Sequence, residues 1–279
     1  MPRRLRWVTV TEFPRLRPRR SLGQNFLRDA NVARKIVDAL APCAGDTVLE
    51  IGPGEGALTR ELAVRAGRLI IVDIDERVIR AMEDVFSGTP VVILHRDVLT
   101  LDLNDLAARH GPLRVVGNIP YNITSPILFH ALDHRTAVRD VTLLMQREVA
   151  RRLVAGPGTK DYGILSIMCQ FVADVSVLFD VSPNVFYPRP EVTSSLVRLR
   201  MLPAARFPVA DEVFFRTMVR GVFGKRRKTL RNSLRYLLPD IPSLPDVDLQ
   251  RRPEDLTIAE LAHLANLLTA TNAGGGRSG

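Results

Sequence analysis

The sequence predicts an α/β protein in which a mainly parallel sheet, covered by helices on both faces, is followed by a small helical domain. Short apolar runs of strand length alternate with helical-length segments between residues 47 and 145, which is the pattern of parallel strands buried on both sides. A proline-bounded break at Pro203 and Pro208 then precedes three segments of helical character. The 279 residues also exceed what one core comfortably fills, so one large domain with a smaller appendage is expected.

The first element in chain order is an amphipathic helix. Asp29 supplies the cap, Val32, Ile36 and Leu40 recur every four residues, and the helix ends near Pro42. Strands follow at Val48–Ile51, Leu69–Val72, Val91–Leu94, Leu113–Val116 and Val141–Met145, separated by helices such as Ala57–Arg65, Glu76–Phe86 and Leu103–Arg109. Val175–Val181 and Ser195–Met201 are β-rich and suited to pairing as added strands, which sets the main domain at residues 21–202. Glu212–Phe223, Lys228–Leu238 and Ile258–Thr269 read as helices of a second domain at 203–271. The glycine-rich stretch 272–279 has no apolar anchor and is expected to be disordered. The chain contains no internal repeat.

Composition narrows the class of partner. With 46% hydrophobic and 25% charged residues the chain is ordinary for a globular protein, and its longest apolar runs fall far short of the roughly 20 residues that span a bilayer. A net charge of +9 makes nucleic acid the natural partner, ahead of an acidic membrane. Seven arginines between Arg3 and Arg20 face a single acid, Glu12, and Lys225, Arg226, Arg227, Lys228, Arg231 and Arg235 form a second cluster with no acid among them. The second cluster is assigned to RNA phosphates, with Lys228, Arg231 and Arg235 on one helix face. Residues 1–20 are expected to form an RNA-contacting basic arm. Their arginines also resemble a transit peptide, but Pro2, Pro14 and Pro18 oppose a continuous helix, so a bacterial cytoplasmic protein is expected.

Cys43 and Cys169 are far apart and fit a reducing compartment rather than a disulfide framework. His130 and His134 lie four apart, but Ala131 stands where a zinc-protease motif needs its glutamate, and no metal is expected.

The chemistry-bearing residues follow the strands. Glu50-Ile51-Gly52-Pro53-Gly54-Glu55-Gly56 leads from the first strand of the alternating series into a helix, with glycines that permit a sharp turn and close approach to a ligand. Gly52, Gly54 and Ala57 also satisfy a loose dinucleotide fingerprint, with Asp73 placed to bind a ribose. Glu50, Pro53 and a Glu55 that would repel a pyrophosphate at the helix N-terminus favour a methyltransferase over a dehydrogenase. Asp97, after the third strand of the series, is placed either to accept from an adenine amine of a cofactor or to cap the next turn.

Asn118-Ile119-Pro120-Tyr121 after the fourth strand is the most informative segment. The adenine amino group is a poor nucleophile because its lone pair is delocalised into the ring. Acceptors at the Asn118 side chain and a main-chain carbonyl, that of Ile119, would draw its two N–H groups and aim the lone pair at a methyl donor. Pro120 stiffens the turn and Tyr121 offers a flat face to the base.

With Leu22-Gly23-Gln24-Asn25-Phe26-Leu27, Gln146-Arg147-Glu148-Val149-Ala150 and Val185-Phe186-Tyr187-Pro188-Arg189-Pro190, these segments and the basic helix give a specific resemblance. From Ser21 to about Leu268 the chain resembles the KsgA-type small-subunit (16S) ribosomal RNA adenine dimethyltransferases. The resemblance implies a class I methyltransferase (Rossmann-like) fold with a helical C-terminal domain and S-adenosylmethionine as cofactor. It implies dimethylation of N6 on two adjacent adenosines near the 3′ end of 16S rRNA in the small ribosomal subunit, with a role in subunit biogenesis; a monomer is expected. By matching positions, Asn25, Leu27, Gly52, Asp73, Asp97 and Asn118 would contact the cofactor, Asn118 would also hold the target amine, and Tyr121 and Phe186 would sandwich the flipped base. Asp73 stands where a glutamate is frequent, Ile119 replaces a frequent leucine, and Glu191 occupies a position that is often basic. Competing expectations are an antibiotic-resistance enzyme acting on 23S rRNA, a non-catalytic assembly factor and, more distantly, a dehydrogenase.

Overall fold

A computed structural model of the chain describes residue 13 and residues 15–224, 228–238, 241, 244 and 246–275, with the side chains of 272–275 excepted. The elements are β1 (Phe26–Leu27), α1 (Ala30–Leu40), β2 (Thr47–Ile51), α2 (Thr59–Arg65), β3 (Arg68–Asp73), α3 (Glu76–Val85), β4 (Val92–His95), α4 (Leu103–His110), β5 (Leu113–Asn118), α5 (Thr124–Asp133) and β6 (Val138–Gln146). They continue with α6 (Arg147–Val154), α7 (Ile164–Val172), β7 (Ala173–Val181), β8 (Phe186–Tyr187), β9 (Ser194–Met201), α8 (Glu212–Phe223), α9 (Leu230–Leu234) and α10 (Ile258–Gly275). Among the described residues no helix is long and apolar enough to cross a membrane.

The main sheet has the order β4-β3-β2-β5-β6-β9-β7. β2 pairs in parallel with β3 and β5, and β5 with β6, while β9 lies antiparallel to β6 with Leu143 opposite Val197. A dinucleotide fold of the Rossmann order 3-2-1-4-5-6 places a sixth parallel strand where β9 runs antiparallel here. The strand order reverses between β2 and β5, which opens a crevice outside their carboxyl ends. β2 is buried along its whole length, Glu50 included, as a central parallel strand requires. β1 and β8 form a separate antiparallel pair with Phe26 opposite Tyr187 and Leu27 opposite Phe186.

Local signals set the helix starts. Asp29 accepts from the backbone N–H of Asn31 and Val32 at the head of α1. Thr257 and Glu260 form a reciprocal cap before α10, in which Glu260 Oε2 accepts from Thr257 N at 2.7 Å and Thr257 Oγ1 accepts from Glu260 N at 3.1 Å. At the amino-terminal edge of the sheet, buried Arg114 donates to Asp46 and Asp140 and to the carbonyls of Leu40 and Ala41, binding the end of α1 to β5 and β6.

The described chain divides into two compact units. One comprises the residues up to Ala150 with Asp174–Pro203, and the other Arg151–Ala173 with the residues from Ala204 onward. The break at Pro203 lies beside the expected end of the main domain, but Arg151–Ala173 groups with the C-terminal helices instead. Its own packing explains this: the Phe171 and Phe215 rings are 4.4 Å apart, and Arg206 N donates to Phe171 O at 2.8 Å.

Two further expectations change. The basic arm is not free over its described part: Phe13 is buried in the core against Phe86, Leu16 N donates to Glu55, and Arg19 pairs with Asp75. Residues 1–12 and 14 lie outside the described residues. The helix expected over Lys228–Leu238 is shorter, α9 alone: Thr229 caps its start, and the N–H groups of Leu230 and Arg231, which have no partner inside a helix, donate to the carbonyls of Arg251 and Leu249. Lys228 therefore precedes the helix rather than sharing a face with Arg231 and Arg235. α10 continues through 272–275, where disorder was expected, because the helix begun at Ile258 runs on past its buried face; Lys225, Arg226, Arg227 and residues 276–279 lie outside the described residues.

Candidate active site

The crevice at the strand-order reversal contains a cavity of about 220 Å³. Its wall is built from the ends of successive strands: Glu50 and Gly52 at β2, Asp73 at β3, Asp97 after β4 and Asn118 at β5. Asn25 and Leu27 close it from the N-terminal side. The structure thus brings Asn25, Leu27, Gly52, Asp73, Asp97 and Asn118, the residues expected to contact a cofactor, around one space.

The glycine loop does more than approach a ligand. Gly54 and Gly56 have φ of +55° and +76°, and a Cβ at either would stand 2.8 Å from the ring of Phe26 or 2.1 Å from that of Phe13. Both positions therefore need glycine for backbone conformation and to admit an aromatic ring. Glu55 is held by Arg28 through two hydrogen bonds of 3.0 Å. Its charge is compensated, so the expected repulsion of a pyrophosphate by Glu55 does not discriminate between cofactors. The antiparallel β9 and the state of Glu50 do that better.

Glu50 is 1% exposed, and its Oε2 has no hydrogen-bond partner among the described residues. Burial pushes its carboxyl up to about 8, with the nearby Asp73 charge adding to the rise. An orphaned buried carboxyl in a cavity wall is suited to meet a cationic group, as a methyl-donating sulfonium with an ammonium tail provides. The sequence placed Glu50 at the strand end without assigning it to the site; the signal was an acid inside an otherwise apolar buried strand. Asp73 is raised to about 6, chiefly by burial, and one of its oxygens accepts from Asp75 N at 2.8 Å. Asp97 does cap the following turn, its Oδ1 accepting from Leu99 N at 2.9 Å, while it also lines the cavity. Ile74 lines the same cavity and is 56% exposed, an apolar cover for a planar ring.

At the end of β5, Asn118 Nδ2 donates to the main-chain carbonyl of Asn25 at 2.8 Å. This fixes the amide so that Oδ1 remains the acceptor. Ile119 is buried, and its carbonyl accepts no hydrogen bond among the described residues. Pro120 has φ −56° and ψ 136° and turns the chain into a short 3-10 segment, Tyr121–Ile123. The Tyr121 hydroxyl and Ser194 Oγ are 2.7 Å apart, which anchors the ring to β9. Burial raises its phenol above the usual range, which leaves it neutral. Neither Tyr121 nor Phe186, the two rings expected at the target base, is part of the cavity wall, and Phe186 is the more deeply buried of the two. Phe186 is 5% exposed and packs in the core with Leu27, Leu144 and Leu196. Arg231 and Arg235 are exposed, and Lys228 Nζ bonds the hydroxyl of exposed Tyr236. These residues belong to the C-terminal unit.

A mainly parallel sheet with one inserted antiparallel strand, and a cavity walled by Glu50, Asp73, Asp97 and Asn118 at successive strand ends, define a class I methyltransferase. The sequence profile described as "Ribosomal RNA adenine dimethylase" matches residues 15–269, and the chain belongs to that family. A protein of Aromatoleum aromaticum named "Ribosomal RNA small subunit methyltransferase A" is 46% identical over 256 residues, covering 91% of this chain and 95% of the relative. One of the same name from Xanthomonas euvesicatoria is 44% identical, covering 89% and 95%. Among solved structures, a dimethyladenosine transferase from Plasmodium falciparum shares the fold, with a TM-score of 0.72, 24% identity and coverage of 89% of this chain and 98% of that one. The 23S rRNA methyltransferase ErmE gives a TM-score of 0.64 at 29% identity, covering 86% and 100%.

Proposed function

We propose that this protein transfers methyl groups from S-adenosylmethionine to N6 of two adjacent adenosines near the 3′ end of 16S rRNA. It acts on the small ribosomal subunit, as a cytoplasmic monomer, and contributes to subunit biogenesis. The observation that carries the chemistry is the hydrogen bond from Asn118 to Asn25, which leaves Asn118 Oδ1 as a fixed acceptor beside the cavity. S-adenosylmethionine supplies a methyl group made electrophilic by its sulfonium. Glu50 answers the positive charge of that molecule, Asp73 accepts from its ribose and Asp97 from its adenine amine. Asn118 Oδ1 and the Ile119 carbonyl accept the two N–H groups of the target amine, turning its lone pair toward the methyl. No strong base is required, because the amine becomes acidic as the N–C bond forms and its proton then passes to water. Tyr121 stacks on the extruded base. Lys228, Arg231 and Arg235 meet phosphates, with Lys225, Arg226 and Arg227 assigned to the same role.

The test is methyl transfer from labelled S-adenosylmethionine to small subunits taken from cells lacking this gene, with the modified positions mapped. Two dimethylated adjacent adenosines near the 3′ end of 16S rRNA are expected. Label confined to large-subunit RNA would replace the substrate assignment, and no label in either would overturn the enzymatic reading.

A further inference from the structure

β8 presents its two aromatic rings to opposite environments: Phe186 is buried in the core, and Tyr187 is 50% exposed. In register across the β1–β8 pair, Tyr187 stands opposite Phe26, a residue of the cavity wall. The Tyr187 ring is not a loose surface side chain. The Arg28 guanidinium lies 4.0 Å from its centroid, and that guanidinium is locked by two 3.0 Å hydrogen bonds to Glu55, itself in the cavity wall. Arg28 is thereby neutralised, and its side chain is 28% exposed. Its arrangement suits it to bracing a ring rather than meeting a phosphate. One face of Tyr187 is covered by a planar cation, and the exposed half of the residue offers a flat π surface.

We propose that Tyr187, braced by Arg28, is a stacking platform for the nucleobase next to the target adenine. The inference rests on the methyltransferase reading of the same site. Extruding one base from an RNA strand breaks its stacking with both neighbours, and a flat ring beside the cavity replaces one of those contacts. The platform is sequence-tolerant, since every base has a π face. It acts on RNA capture and leaves the transfer step to Asn118.

Three variants test this: Tyr187→Phe keeps the ring, Tyr187→Leu keeps apolar bulk without it, and Tyr187→Ala removes both. Steady-state methylation of small subunits should show the RNA KM rising about ten-fold in the Leu and Ala variants, the loss of one base–aromatic stack. The Phe variant should match wild type, and kcat and S-adenosylmethionine affinity by calorimetry should not move in any of them. In parallel, a short RNA of the target sequence with 2-aminopurine beside the target adenine should be quenched on binding by wild type and Tyr187→Phe, and not by Tyr187→Leu. Leu performing as well as Phe, an unchanged KM in Tyr187→Ala, or a parallel fall in cofactor affinity would overturn the platform. The quench needs no turnover, so it reports on the platform even if wild type were inactive. Absence of methylation by wild type would count against the enzymatic reading alone.

Discussion

Asn118 and Asn25 stand 93 residues apart in the chain, yet the side-chain amide of the first donates to the main-chain carbonyl of the second at 2.8 Å. The bond joins the segment before β1 to the end of β5 and decides which end of the Asn118 amide is left to receive a substrate. Asn118→Ala should lower kcat by about 10²–10³, the cost of removing one preorganised acceptor from a transition state. Thermal stability should fall by no more than about 1 kcal/mol, the net worth of a typical hydrogen bond. Single-turnover methylation with a denaturation curve checks both.

Glu50 sets a pH dependence. Its folded carboxyl is pushed up to about 8 from an ordinary value of 4.5. Between those values the unfolded chain has lost the proton and the folded chain keeps it, so the stability contribution is lost as pH rises through this window, at roughly 1.4 kcal/mol per pH unit. The ligand-free protein should therefore lose stability from pH 5 to 8 more steeply than Glu50→Gln, and the variant should bind S-adenosylmethionine more weakly. Melting curves across pH and calorimetry measure the two effects, and identical pH slopes would remove Glu50 from this role.

Tyr121 and Phe186 should separate, although both were expected at the base. Phe186→Ala empties a core position and should cost about 3–5 kcal/mol of stability. Tyr121→Ala should mainly raise the RNA KM. Tyr121→Phe, which loses only the hydroxyl contact to Ser194, should stay close to wild type. Denaturant titration alongside turnover distinguishes the two positions.

Arg114→Leu removes the cation between two buried carboxylates, those of Asp46 and Asp140. A destabilisation of about 3–5 kcal/mol is expected, because the buried Asp140 carboxylate loses the guanidinium paired with it, while Asp46 keeps Arg139 at 3.1 Å. The double substitution of Asp46 and Asp140 by Asn in the Arg114→Leu background should recover part of it in urea unfolding.

In the C-terminal unit, glutamine at Lys228, Arg231 and Arg235 should lower the slope of log RNA affinity against log salt by about two, at 0.7–0.9 per phosphate contact. Cofactor affinity should stay unchanged. A salt series of RNA-binding measurements on wild type and the triple variant decides it.

The alternation of apolar runs with helical segments was enough to place the parallel strands, because a strand buried on both faces must be apolar throughout and its crossover must be a helix. The placing of Gly52, Asp73, Asp97 and Asn118 at strand ends followed from the same pattern, since the carboxyl ends of parallel strands all open on one edge. Four features had no local signature. Nothing near Gly56 in sequence announces that the ring of Phe13 fills the space where its side chain would be. Thr229 rather than Lys228 opens the basic helix, and the carbonyls of Leu249 and Arg251, distant in sequence, take the N–H groups at its start. Phe186 and Tyr187 are adjacent aromatic residues, and which one faces the core depends on the side of the β1–β8 pair that each occupies. The rise in the Glu50 pKa depends on how completely β3, β5 and the helices packed on the sheet exclude water from β2. Sequence pattern reports what each residue can do within its own element, whereas exclusion of water and a partner 93 residues away come into being only when the elements pack.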